Sequence, residues 1–134
     1  NHPFLVAATV LAALAVVVFE VWLRRRSALE LSIPEAVRMI NNGAVVVDVR
    51  DRAAYDAGHI ADAVHAAPAD LPQAIEARLK KKRGVLVVCD TGSTSHGCAQ
   101  RLQKGGYEGA FSLRGGLNAW QRESQPLVVA RARS

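Results

Sequence analysis

Only two of the 134 residues are cysteine, Cys89 and Cys98. Two thiols cannot build the crosslinked framework that stabilises small secreted scaffolds. Aromatic residues are also scarce, and beyond residue 26 they are Tyr55, Tyr107, Phe111 and Trp120. A nucleic-acid-binding surface usually combines a dense basic face with stacking aromatics. The net charge is +5, but Arg24, Arg25 and Arg26 carry three of those charges. Without them and Glu20, 14 basic residues face 11 acidic ones. So mild a balance excludes nucleic acid as the expected partner. The chain has no internal repeat and no low-complexity stretch, and its composition excludes a disordered chain and a multidomain enzyme.

Apolar residues are not scarce, but they are unevenly placed. Residues 4–23 hold five Ala, six Val, four Leu, two Phe and one Trp, with only Thr9 and Glu20 polar. Twenty helical residues span about 30 Å, the thickness of a bilayer's hydrocarbon core. Glu20 stands four residues before Arg24 and can pair with it near the interface, and Trp22 suits the headgroup layer. A secretory signal carries its basic residues before the apolar stretch, whereas here they follow it. A soluble amphipathic helix would show a polar face. Residues 1–26 therefore read as a membrane anchor with a basic flank, and residues 27–134 as a single domain. Arginines stay on the cytoplasmic side of a span. The expected location is thus the inner (cytoplasmic) membrane, with the domain in a reducing cytoplasm, the bilayer as a partner through residues 4–23, and a membrane protein as a further candidate partner.

Beyond Ser27–Leu31, which reads as a linker, helices and strands alternate. Ser32-Ile33-Pro34-Glu35 is a capping box with proline in the first turn. Ala44–Val49 and Val85–Val88 are apolar runs suited to strands buried on both faces. Ala63–Ala66 and Ala110–Leu113 are further strands. Helices are expected over Arg52–Ala57, Leu71–Lys82, Ser95–Lys104 and Leu117–Arg122. Such alternation predicts an α/β fold with a mainly parallel central sheet flanked by helices.

The stretch Cys89-Asp90-Thr91-Gly92-Ser93-Thr94-Ser95-His96 follows a buried strand and enters a helix. In open α/β sheets, ligands bind at this carboxyl edge of the strands. A short loop of small and hydroxyl residues can curl so that its N–H groups converge on the sulfur of Cys89, and the helix start adds partial positive charge. This predicts an exposed, nucleophilic thiolate. Asp90 opposes it, since a like charge about 6 Å away costs roughly 0.7–3 kcal/mol; the amides are expected to outweigh it. Cys98, on the apolar side of the following helix, reads as core, with a resolving thiol for Cys89 as the alternative.

Taken together, Val45-Val46-Val47-Asp48-Val49-Arg50, Tyr55, Gly58-His59-Ile60, the Cys89 loop and Leu113-Arg114-Gly115-Gly116-Leu117-Asn118-Ala119-Trp120 resemble the successive motifs of a rhodanese domain, over about residues 29–127. The loop is most similar to that of small single-domain rhodaneses acting as thiosulfate sulfurtransferases. The resemblance implies a rhodanese fold and a sulfurtransferase in which Cys89 carries sulfane sulfur as a persulfide. The sulfur would pass from a donor, thiosulfate or a persulfide, to a thiol or cyanide acceptor. It implies no metal and no organic cofactor. Asp90, Thr91, Gly92, Ser93, Thr94 and Ser95 would bind substrate and stabilise the outer sulfur, and Arg50 is a candidate anion ligand. The sequence departs from the family pattern at Asp62, where glycine is usual, and at Asp90, where many loops carry a basic residue. An electrically neutral or protein-bound persulfide donor suits Asp90 better than a dianion. Related cysteine phosphatases hold arginine six residues after the cysteine; Ser95 stands there instead. A protein-interaction module and a Cys89–Cys98 redox sensor are the competing readings.

Of the remaining singled-out residues, Asp48, His59 and Trp120 read as structural. Arg50 has a carboxylate partner as its alternative role, His96 points either to the loop mouth or to solvent, and Lys80–Arg83 reads as a solvated helix end near anionic lipid.

Overall fold

The computed structural model describes residues 2–76 and 84–129. Helix α1 runs from Pro3 to Ala28. It is long and apolar enough to cross a membrane over Pro3–Arg25, and its most apolar window of 18 residues has a mean hydropathy of 2.6 with none of it buried. The predicted linker is absent. The helix continues past the arginines, and Glu30–Leu31 forms an edge strand, β1. The cause is an open sheet edge: the Ser112 and Arg114 amides donate to the carbonyls of Leu29 and Leu31 at 2.7 and 2.9 Å. Leu29 is buried as a result.

Helix α2, Ile33–Asn41, starts as the capping box predicts, with Ser32 Oγ accepting from the Glu35 amide. Strand β2 (Val45–Asp48), helix α3 (Arg52–Ala57), strand β3 (Val64–His65), strand β4 (Val85–Val88), helix α4 (Ser93–Lys104), strand β5 (Ala110–Leu113) and helix α5 (Gly116–Arg122) follow. The five strands form one sheet in the order β1-β5-β4-β2-β3, and every pair in it is parallel. Leu71–Lys82 departs from expectation. Its described part holds a 3₁₀ turn at Gln73–Ile75, preceded by another at Pro68–Asp70. Pro68 and Pro72 stand at the starts of these turns, where their fixed φ fits, and residues 77–82 of the expected helix lie outside the described residues. Lys80–Arg83 lie outside the described residues. Helix α4 begins two residues earlier than predicted, because Gly92 rather than Thr94 ends the loop.

Side chains alternate across the sheet. Val47, Val85, Val87 and Cys89 pack on one face with Cys98, Ala99 and Leu102 of α4. Val46, Leu86 and Val88 pack on the other with Ala36 of α2 and Leu117 and Trp120 of α5. The period of two thus carries Cys89 to the face covered by α4, directly beneath the start of that helix. Cys98 and Trp120 are core residues, as the sequence predicts.

Leu86 has no exposed surface. Leu86→Ala should lower unfolding free energy by about 2–5 kcal/mol. Ser32→Ala, which removes only a helix cap, should cost about 0.5–2 kcal/mol. Urea denaturation measures both, and equal losses would contradict this assignment of core and cap.

Candidate active site

Cys89 directly follows β4 and is 5% exposed. The thiol is therefore less open than the sequence suggests and lies on the floor of the loop. Two backbone amides converge on it: Gly92 N–H donates to Sγ at 3.0 Å and Ser95 N–H at 3.4 Å. The Cys89 thiol also lies 3.4 Å from Ser95 Oγ as a donor. The curl requires Gly92, whose φ is +97°. A β-carbon there would also meet the Leu113 carbonyl oxygen at 3.1 Å and the Gly115 nitrogen at 3.3 Å.

The other loop residues divide by exposure. Ser95 is wholly buried, donating to the Gly92 carbonyl at 3.2 Å and bonded to Ser112 Oγ at 2.7 Å. It braces the loop from inside. Thr91, Ser93 and Thr94 are exposed around the rim, with the Thr91 and Ser93 hydroxyls 3.3 Å apart. Ser112 was missed by sequence reasoning. Its signal was a hydroxyl in the otherwise apolar strand Ala110–Leu113.

The turn Gly115-Gly116 presses against the loop, as expected. Leu117 N–H donates to the Cys89 carbonyl at 2.8 Å and Asn118 N–H to the Asp90 carbonyl at 3.0 Å. Gly116 has a φ of +61°, and a β-carbon there would collide with the Cys89 and Asp90 carbonyl oxygens. These two bonds fasten the start of the loop to α5. Beside them lies an open depression of about 510 Å³ lined by Thr91, Gly115, Asn118, Gln121 and Arg122.

Asp48 is fully buried at the end of β2. It accepts from Arg50 Nε at 3.0 and 3.1 Å and from Nη2 at 2.7 Å. Arg50 Nη2 also donates to the Gly58 carbonyl. Its Nη1 lies 3.8 Å from Asp90 Oδ1, whose side chain is 65% exposed. Burial works against the Arg50 charge, but hydrogen bonding and attraction to Asp48, with Asp90 and Asp51 adding, hold its pKa above the ordinary value. Arg50 is thus a permanent cation committed mainly to a structural carboxylate, with one edge left toward the site. Asp90 is a partly compensated charge, not an isolated one.

His59 Nδ1 bonds the Tyr55 carbonyl at 2.8 Å, in the structural role expected of it. Asp62 takes a φ of +66°, so this turn keeps the left-handed backbone that glycine favours and aspartate tolerates. His96 turns toward β1, with Nδ1 3.8 Å from Glu30 Oε1. Among the described residues, no group of three or more His, Cys, Asp or Glu side chains could hold a metal. Chemically, the arrangement offers one sulfur, two convergent amide donors and a bracing hydroxyl at a sheet edge.

The profile of the rhodanese-like domain matches residues 32–123. The thiosulfate sulfurtransferase GlpE of Tolumonas auensis is 34% identical over 92 residues, covering 68% of this chain and 86% of that protein. The thiosulfate sulfurtransferase GlpE of Coxiella burnetii is 39% identical over 77 residues, 58% of this chain and 71% of that protein. Among solved structures, a rhodanese-like domain from Anabaena superposes with a TM-score of 0.62 at 28% identity, covering 69% of this chain and 98% of that one. A human single-domain sulfurtransferase gives 0.62 at 25% identity, covering 71% and 96%. With its parallel sheet, its cysteine loop and these relatives, the chain belongs to the rhodanese family and is a sulfurtransferase of the rhodanese type.

Proposed function

We propose that this protein is a membrane-tethered sulfurtransferase that moves a sulfane sulfur through a persulfide on Cys89. Residues 1–26 form the anchor and residues 27–134 the catalytic domain, which faces the cytoplasm. The observation that carries the proposal is the convergence of the Gly92 and Ser95 amides on Cys89 Sγ at 3.0 and 3.4 Å.

In the first half-reaction, the Cys89 thiolate attacks the outer sulfur of the donor. A new S–S bond forms, the donor's own bond to that sulfur breaks, and its electron pair leaves with the donor remainder; from thiosulfate this is sulfite. In the second, an acceptor such as a thiolate or cyanide attacks the outer sulfur and the bonding pair returns to Cys89 Sγ. This is covalent catalysis in two easier steps. The amides act as preorganised donors to whichever sulfur bears negative charge, in a site largely closed to water. Thr91, Ser93 and Thr94 on the rim supply hydroxyls to the incoming group, Ser95 holds the loop closed, and Gly92 provides its curl.

Asp90 tunes the donor. It sits beside the nucleophile with only the far edge of Arg50 to offset it, so a compact dianion approaches against repulsion. A neutral or protein-bound persulfide suffers less. The anchor places the domain near a membrane-bound partner. This reading is supported by the apolar stretch of α1 and the arginines that close it.

With a sulfane donor, the intact mass of the protein should rise by one sulfur atom and return on addition of cyanide, while Cys89→Ser should not change. A wild-type protein that stays unloaded with every donor would refute the mechanism. Asp90→Asn should load from thiosulfate faster, by about three- to tenfold at low salt, with the gain shrinking as salt rises; stopped-time mass spectrometry measures this. Deleting residues 4–23 should move the protein from the membrane to the soluble fraction. An impermeant thiol reagent should label Lys104→Cys only after the membrane is opened, and labelling of intact cells would reverse the topology.

A further inference from the structure

Arg122 is a guanidinium without a visible task. Other arginines around the site are engaged: Arg50 with Asp48, Arg52 with Asp56, and Arg114 with Glu30. Arg122 is exposed, and among the described residues no carboxylate or carbonyl pairs with it. Its side chain runs back along α5 toward the site. Nη2 lies 4.0 Å from where a side chain on Gly115 would begin. Gly115 in turn packs on Gly92, whose amide reaches the Cys89 sulfur.

The surroundings fit an anionic oxygen ligand. Asn118 and Arg122 share one face of α5, Gly115 precedes the helix on the same side, and Gln121 and Thr91 complete the lining of the 510 Å³ depression. No acidic side chain is among these lining residues. The helix itself is held firmly: Leu117 and Trp120 are buried, and Trp120 Nε1 donates to the Pro126 carbonyl at 3.0 Å. The cation is therefore presented from a fixed support, which lowers the ordering cost of using it.

Charge is thus divided across the mouth of the site. The Asp90 carboxylate, on the residue that follows Cys89, is exposed at the loop 3.8 Å from Arg50 Nη1, and the unpaired Arg122 stands at the neighbouring depression. A small anion centred on the sulfur meets the wrong sign. A longer molecule can put its sulfur at Cys89 and its negative end at Arg122.

We propose that Arg122, with Thr91, Asn118 and Gln121, receives a carboxylate at the far end of the thiol that exchanges sulfur with Cys89, so that the site selects extended carboxylated thiols. This rests on the Cys89 persulfide reading and assigns its substrate class. The step is attack of the acceptor thiolate on the outer sulfur of the protonated persulfide. The acceptor–sulfur bond forms, the bond to Cys89 breaks, its electron pair returns to Cys89 Sγ, and the proton stays on the transferred sulfur.

The test uses the full chain loaded with sulfur in a separate step and checked by mass. Discharge is then timed with ω-mercaptocarboxylates of increasing length and with mercaptoalcohols of the same lengths. At one or more lengths the carboxylate should show a KM lower by about three- to tenfold. The preference should fall with added salt, collapse to near one in Arg122→Ala and be partly kept in Arg122→Lys. Equal KM values for acids and alcohols at all lengths, or an unchanged ratio in Arg122→Ala, would overturn the proposal. A protein that never loads would instead overturn the persulfide reading. Arg122 can then still be judged in Cys89→Ser, where S-methylated mercaptocarboxylates should shift the amide resonances of Thr91, Asn118 and Gln121. The absence of those shifts would also overturn it.

Discussion

The amide hydrogens of Gly92 and Ser95 meet at one sulfur, and the rest of the domain is arranged so that they stay there. Backbone donors cost no reorganisation when charge arrives, provided the loop that carries them is already shaped. Here the shape is held from three sides. Gly92 adopts a left-handed conformation between Leu113 and Gly115. Buried Ser95 is bonded to Ser112 of the adjacent strand. The first residues of α5 hold the carbonyls of Cys89 and Asp90. Each support comes from a different part of the chain, so the loop's geometry depends on the packing of β4, β5, α4 and α5 together.

A second constraint is the buried charge at the end of β2. Asp48 has no contact with water and is neutralised by Arg50 through several hydrogen bonds. Removing one partner of such a pair is costly, because the other is left charged in a poor solvent. This pins Arg50 in place, ties Gly58 to the sheet edge and leaves one guanidinium nitrogen near Asp90. A structural pair thereby moderates a charge at the reactive loop. Further out, Arg122 supplies a charge that no carboxylate of the described residues takes up.

Much of this is legible from residue order. The capping box at Ser32 and the strands at Val45 and Val85 report local preferences that the packing does not override. The exceptions have physical causes. Residues 29–31 look like a linker because two residues of strand are too short to show a period, and only the open edge of β5 makes them one. Over residues 71–76, Pro72 starts a short 3₁₀ turn in place of the expected helix, since the fixed φ of proline suits a turn start. The burial of Cys89 and the inward role of Ser95 were not legible, because they depend on packing against α4 and on Ser112 of β5, seventeen residues beyond Ser95 on the other side of that helix. Ser112 is a single hydroxyl among apolar neighbours and acquires meaning only beside Ser95. Arg122 resembles an ordinary helix-end arginine until its side chain is traced back to Gly115.

By itself, the order of residues determined that an apolar helix precedes a parallel α/β domain and that Cys89 opens a glycine- and hydroxyl-bearing loop at a strand end. These are consequences of hydrophobic period, turn chemistry and spacing along the chain, all of which are local. Only the tertiary structure decided which amides reach the sulfur, how deep the thiol lies, that Arg50 is shared between Asp48 and Asp90, and that Arg122 stands unpaired beside the loop. Those features are distances between groups far apart in the chain, and they arise when the faces of one sheet are covered and its edges closed.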